Sequence, residues 1–350
     1  MGVSGQYGLA VAVSVCGEIV WTGEYGYADL ENQVPVTAET RFRVGSVSKT
    51  LTAAALGQLV EAGKLDWDGE IQTYVPAFPR KRYLVTVRQV AGHVGGIRHY
   101  AGNEFMSDVR YETINDALAV FKNDPLLSEP GTEYNYSSYG WNLLSAVVEG
   151  ASGQSFLDYM KVRVFEPAGM SSTLADDNLT LIPNRTQFYH FDEAEETNGN
   201  APYVDNSIKW AGGGFLSTPS DILRFGRAIY DGTLVNEDTQ NLLVTGMTTR
   251  DGADTGYGIG WSTDMLNREL DRAEDHFPQE VLDRTRALIG DHRIAGHSGG
   301  SVGGLTLFLT TPDLDGRVMI AATSNNSSIF PVFTLPVFAE FVGISTQMGQ

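Results

Sequence analysis

The sequence predicts an α+β fold, with an antiparallel sheet flanked by helices, a helical lobe inserted into it and an active site between the lobes. Strand-like runs occupy both ends of the chain, helical periodicities fill the middle, and no internal repeat or low-complexity tract interrupts them. The 350 residues form one domain: roughly 1–65 and 200–350 as the sheet lobe, roughly 66–199 as the helical lobe.

Taken in order, GLAVAVSVCGEIVWTGEYGYADL holds two β-rich runs joined by Cys-Gly-Glu and reads as an antiparallel hairpin. Cys16 at the join reads as a small, partly buried thiol. In SVSKTLTAAALGQLVEAGKL, Leu51, Ala55, Leu56, Leu59 and Val60 recur at helical spacing. Ser46 opens that helix and Gly63 closes it as a C′ glycine. Further helices are expected in VTVRQVAG, INDALAVFKND, YGWNLLSAVVEGASG and SFLDYMKVRVFEPAG. Beyond Trp210 come GGGFLSTP, a helix in SDILRFGRAIYDG, a turn-rich YGIGW, the charged LDRAEDHFPQEVLDRTRAL, strands around LTLFLTT and RVMIAATSN, and a closing helix in PVFTLPVFAEFVGI.

A chain that is 42% hydrophobic and 19% charged can bury a large core. Its formal charge of -19 argues against nucleic acid or an anionic membrane as partner, since both repel it. One cysteine permits no intrachain disulfide. No apolar run reaches the roughly 20 residues of a membrane span, so a soluble protein is expected. The opening MGVSGQYG lacks the basic region and cleavage site of a signal peptide, and Gln6 replaces the Ser or Thr of a myristoylation motif. Because the chain enters a strand almost at once, its start is compatible with trimming. Compartment and oligomeric state are left open.

Residues 296–300, GHSGG, match the Gly-x-Ser-x-Gly of a nucleophile elbow, which needs a following helix and a histidine later in the chain. All six histidines (His93, His99, His190, His276, His292 and His297) precede Ser298, and the following SVGGLTLFLTTPD reads as a strand. The elbow reading fails. No His-Glu-x-x-His occurs, and His292 with His297 is a poor ligand pair, so neither a metal nor another cofactor is expected. The GYGIG run at 256–260 lacks the strand-to-helix context of nucleotide binding.

Three stretches remain. Ser46 and Lys49 form the chain's Ser-x-x-Lys, both on one helix face, with the serine at the helix N-terminus. The bland alternative is an N-cap serine and a surface lysine. The apolar TLTAAAL that follows favours a buried helix, which would lower the lysine's pKa toward that of a usable base. Tyr136, Ser137 and Ser138 stand at a Pro-Gly-led loop before an apolar helix, where Tyr136 is either a proton carrier or one of several packing tyrosines. His297, Ser298 and Gly299 read as the end of an edge strand, with the Gly300 N–H able to join that of Ser46 as an oxyanion hole; the alternative is a simple glycine-rich turn.

Together these stretches resemble the serine β-lactamase-like hydrolases, which include class C β-lactamases, penicillin-binding DD-peptidases and related esterases. The family's Ser-x-x-Lys, its Tyr-x-Asn or Tyr-Ser-x, and its Lys/His-Thr/Ser-Gly match Ser46–Lys49, Tyr136–Ser138 and His297–Gly299, in that order. GYADLENQVPVTAETRFRVGSVSKT, HVGGIRHY and PGTEYNYSSYG also resemble family segments, so the likeness spans nearly the whole chain. FKNDPL, GIRHY and PYVDNSIKWAGGGFLST are similar to the LACTB group of that family and its bacterial relatives. The animal LACTB proteins carry a targeting segment and a long charged insert, for which Tyr100 to Phe121 is here a short connection, so mitochondrial import and assembly behaviour do not carry over.

The resemblance implies Ser46 as nucleophile, Lys49 as general base, Tyr136 as proton relay, His297 as the polar group of the third motif and Gly300 as oxyanion donor. Ser138, Ser298 and Gly299 are implied to contact substrate. Ser138 replaces an amide that holds the acylamino group in class C β-lactamases, and His297 replaces a lysine that attracts the β-lactam carboxylate. Both changes favour a LACTB-like peptidase or amidase acting through an acyl-enzyme on a small acyl or peptide substrate. A carboxylesterase, a weak class C-like β-lactamase and a non-catalytic peptide-binding homologue are the alternatives. If His297 contributes, activity should change near roughly pH 6 to 7.

Overall fold

The computed structural model describes residues 7–192, 197–327, 331 and 333–348. Met1–Gln6, on which the signal-peptide and lipidation readings rested, lie outside them. Strands β1 (Leu9–Val15) and β2 (Glu18–Tyr25) form the expected hairpin. Its two-residue turn puts Cys16 at φ +53 and Gly17 at φ +79, the paired left-handed geometry that matches strand twist. Cys16 is exposed at this tip, not partly buried as expected, because a left-handed turn residue projects from the sheet end.

The chain then makes β3 (Tyr27–Asp29), β4 (Val34–Pro35) and β5 (Phe42–Arg43), and a 3-10 turn over Gly45–Val47 feeds α1 (Ser48–Glu61). Buried residues surround α1 on every side through Gly57, so it runs through the core and carries Lys49 inside. Gly63, at φ +65, terminates it.

A short helix α2 (Ile71–Tyr74) comes first, and α3 (Val87–Ala91) and α4 (Ile114–Leu118) are shorter than the sequence patterns suggested. Capping boxes start α3 and α4, at Thr86/Gln89 and Thr113/Asp116. The principal helix of this region is α5 (Ser138–Ser152), capped by Ser137 Oγ accepting from the Gly140 N–H and ended by Gly153 at φ +71. After α6 (Phe156–Tyr159), a π-helical turn over Met160–Phe165 ends the helical run.

Short strands β6 (Leu174–Ala175), β7 (Tyr189–Asp192) and β8 (Thr197–Asn200) follow, then α7 (Trp210–Gly213) and β9 (Phe215–Ser217). Helix α8 (Pro219–Tyr230) starts with proline at N1 and Thr218 as N-cap. It precedes α9 (Glu237–Leu243), and the charged segment becomes α10 (Met265–Ala273) and α11 (Gln279–Ile289), divided before Pro278.

Strands β10 (Ala295–Ser301), β11 (Gly304–Thr310) and β12 (Val318–Ser324) complete a five-stranded antiparallel sheet in the order β10-β11-β12-β1-β2, and α12 (Thr334–Met348) closes the chain. Period-two alternation sorts its side chains. Val11, Val13, Leu307, Leu309, Ile320 and Ala322 pack with α10, α11 and α12, while Ala12, Phe308, Met319 and Ala321 join the core around α1, α5 and α8. No described helix is long and apolar enough to cross a membrane.

Candidate active site

Ser46 sits in the 3-10 turn between β5 and α1, with its backbone pressed against the edge strand β10. A Cβ on Gly45, whose φ is +49, would stand 2.6 Å from the Gly300 carbonyl oxygen. One on Gly299 would stand 2.0 Å from the Val44 oxygen and 3.1 Å from the Ser46 nitrogen. Only glycine permits this approach. GHSGG therefore lies within β10, turns at Val302–Gly303 into β11, and holds no strand-to-helix elbow.

One turn along α1, Lys49 Nζ lies 2.9 Å from Ser46 Oγ, 3.1 Å from Ser138 Oγ and 2.6 Å from the Gly212 carbonyl oxygen. The cap by Ser137 starts α5 immediately after Tyr136, whose hydroxyl donates to Ser46 Oγ at 2.9 Å. Lys49 Nζ is also 5.0 Å from the Tyr136 ring centroid. Burial holds the Lys49 ammonium well below the usual lysine range. The same burial raises the Tyr136 phenol, against the opposing effect of its bond to Ser46.

Strand parity aims β10. Gly296 exchanges backbone hydrogen bonds with Ser262 on the side away from β11, at 2.9 and 3.1 Å. Ser298 and Gly300, two and four residues on, present their backbone groups along that same edge, toward the Gly45–Ser46 turn. The adjoining cavity, about 180 Å³, is lined by Ser46, Tyr136, Ser138 and Gly300 among others. His297, Ser298 and Gly299 do not line it: Gly299 is covered by Val44, and His297 is buried behind the strand.

His297 Nδ1 lies 2.6 Å from the Ser298 carbonyl oxygen, which only accepts, so this nitrogen carries the proton. Nε2 then accepts from the Tyr257 hydroxyl at 2.9 Å. Burial, with Lys49 nearby, pushes the imidazole down to about 3. The expected activity change near pH 6 to 7 therefore does not originate in His297, which is neutral throughout that range.

Several neighbours were not singled out from sequence as site residues. His93 Nδ1 accepts from the Ser137 N–H at 3.0 Å and its ring lies 4.3 Å from that of Tyr136. His99 Nδ1 accepts from the Ser138 N–H at 3.1 Å. Both come from HVGGIRHY, where two histidines six residues apart around a Gly-Gly were the available signal. Tyr257 comes from the YGIG run, and Gly212 and Lys209 from the SIKWAGGG stretch. Among the described residues no cluster of three or more His, Cys, Asp or Glu is placed to hold a metal ion.

Burial lowers His93 well below the usual value and His99 to about 4. In the unfolded chain all three imidazoles titrate near about 6.5. Below that pH the unfolded state binds more protons, so their contribution is complete above about pH 6.5 and is lost as pH falls toward the folded values. Each adds a slope of up to about 1.4 kcal/mol per pH unit. Glu269, pushed up to about 7 by burial, works in the opposite sense and offsets one of the three. The melting temperature is expected to fall from pH 6.5 to 5, where two of the three imidazoles outweigh Glu269, and to fall less steeply in His99→Gln. A flat curve over that window would refute the assignment.

The sequence profile of the Beta-lactamase family matches residues 3–333. The human mitochondrial serine beta-lactamase-like protein LACTB is 33% identical over 88% of this chain and 69% of its own. Penicillin-binding protein 4* of Bacillus subtilis is 29% identical over 75% of this chain and 60% of its own. Among solved structures, the octameric penicillin-binding protein homologue of Pyrococcus abyssi superposes with a TM-score of 0.78 at 22% identity, covering 96% of this chain and 73% of that one. The D-amino acid amidase of Ochrobactrum anthropi SV3 superposes at 0.75 and 21%, covering 99% and 96%. On the near-complete profile match and a relative one third identical, the chain belongs to the Beta-lactamase family of serine hydrolases, with its β-lactamase/transpeptidase-like fold.

Proposed function

We propose that the protein hydrolyses amide bonds of small acyl or peptide substrates through an acyl-enzyme on Ser46, as a LACTB-like peptidase or amidase. One observation carries this reading: Ser46 Oγ lies 2.9 Å from both Lys49 Nζ and the Tyr136 hydroxyl. A neutral amine has two N–H bonds and one lone pair. With the N–H bonds directed to Gly212 O and Ser138 Oγ, the lone pair of Lys49 faces the Ser46 hydroxyl.

Lys49 then takes the Ser46 proton as Oγ bonds to the substrate carbonyl carbon, and the N–H groups of Ser46 and Gly300 receive the oxyanion. As the C–N bond breaks, the Tyr136 phenol gives its proton to the leaving nitrogen and regains one from Lys49. Its raised pKa suits a donor rather than a base. In the second half, water attacks the acyl carbon, one of its protons passes to the Lys49–Tyr136 pair, and that pair returns a proton to Ser46 Oγ. Ser138 acts as an acceptor that orients Lys49.

Similarity to a D-amino acid amidase supports reading this site as an amidase rather than an esterase. The neutral His297 removes the cation expected to draw a β-lactam carboxylate to β10. Intact mass is to be followed over time with an acyl 4-nitroanilide, a 4-nitrophenyl ester and a penicillin. A Ser46 adduct that turns over with the first two and persists with penicillin supports the reading. Rapid loss of the penicillin adduct makes the protein a β-lactamase, turnover of ester alone makes it an esterase, and no adduct on folded protein makes it a binding homologue.

A further inference from the structure

The cavity beside Ser46 contains a cation that the mechanism does not use. Lys209 precedes α7, is 4% exposed and lines the same cavity of about 180 Å³. Its ammonium donates to the Phe105 carbonyl oxygen at 2.7 Å and lies 5.0 Å from the Phe105 ring centroid. Among the described residues no carboxylate lies within 4.0 Å of it.

The acids nearest to Lys209 are already engaged. Asp176 accepts from Arg43, Arg185 and Asn206 at 2.6, 3.3 and 2.8 Å, and Asp205 accepts from the Ser207 N–H at 2.8 Å and faces Arg110 at 3.8 Å. An ammonium has three donors, and one protein acceptor leaves two unused. The cavity's other polar side chains, three serines, Asn206, His99, Tyr100 and Tyr136, carry no charge at neutral pH. A nearly buried cation without a carboxylate partner suits a ligand that brings one.

Resting on the acyl-transfer reading above, we propose that Lys209 is a substrate-binding residue whose ammonium holds a carboxylate carried on the acyl part of the substrate. We assign the carboxylate to the acyl part because Lys209 and Asn206 are buried lining residues of the cavity, whereas Ser46 is partly exposed, so the leaving group is assigned to the solvent side. The cation absent from β10 is thus supplied from the residue before α7, and the preferred donors are short acyl groups ending in a carboxylate.

The test compares mono-4-nitrophenyl adipate with 4-nitrophenyl hexanoate, which differ mainly by the terminal carboxylate, in wild type, Lys209→Met and Lys209→Arg. Wild type should prefer the adipate in kcat/KM. Lys209→Met should reduce the adipate-to-hexanoate ratio about ten- to hundredfold, chiefly through KM, the scale of one lost charge-assisted hydrogen bond. Lys209→Arg should retain most of the preference.

Wild type provides a second measurement if Lys209→Met does not fold. Burial, then Arg43, lowers Lys209 to about 8 against the pull of Asp205 and Asp176, so the preference should fade as pH rises past that value. An equal ratio in wild type and Lys209→Met, or a wild-type ratio flat from pH 7 to 9, overturns the role of Lys209 while Ser46 acylation stands. No acylation of Ser46 by either ester overturns the catalytic reading, and this proposal with it.

Discussion

Ser46→Ala is expected to lower kcat by at least about 10⁴-fold and to abolish covalent labelling by acyl donors and by an active-serine phosphonate. The methyl group leaves Lys49 and Tyr136 facing each other across the position where a single oxygen now meets both. The change removes one small, partly exposed hydroxyl, so the melting temperature should shift little. Peptide mapping of wild type should find the adduct on Ser46 alone. An adduct on Ser298, or labelling retained in Ser46→Ala, would sink the assignment.

Lys49→Met is expected to cost about 10²–10⁴-fold in kcat, the usual scale of a positioned general base. Lys49 is fully buried, and burial keeps its amine available for protonation by Ser46. Methionine fills a similar volume without an ionisable group, so the melting temperature should hold or rise even as activity is lost. The sign of the pH effect follows from the same depression. Activity is lost as pH falls through the Lys49 value, because protonation removes the lone pair, and that limb should vanish from the residual rate of Lys49→Met. Retention of more than a tenth of wild-type activity would place the base elsewhere.

Much of the site was legible because its parts are local. Ser46 and Lys49 are one helical turn apart, so their shared face follows from 3.6-residue periodicity. The apolar TLTAAAL indicated burial, and α1 is indeed surrounded by core. The edge-strand character of GHSGG followed from the strand pattern after it. Burial patterns that need the whole fold were not legible: Cys16 projects from a hairpin tip, and the middle helices are shorter than their periodicities. A short apolar run signals packing without stating how far the helix extends.

By itself, the sequence determined the order of the candidate reactive groups and the alternating sheet that carries one of them, since spacing and periodicity are properties of neighbouring residues. Tertiary structure decided their protonation and their partners. His297 is neutral because it is sealed behind β10 against Tyr257, and Lys49 is depressed because it is fully buried in the core. Lys209 shares a cavity with Ser46 across 163 residues of chain because α7 packs against α1 and α5. Desolvation depends on everything that surrounds a group, and those surroundings arrive from segments far apart in sequence.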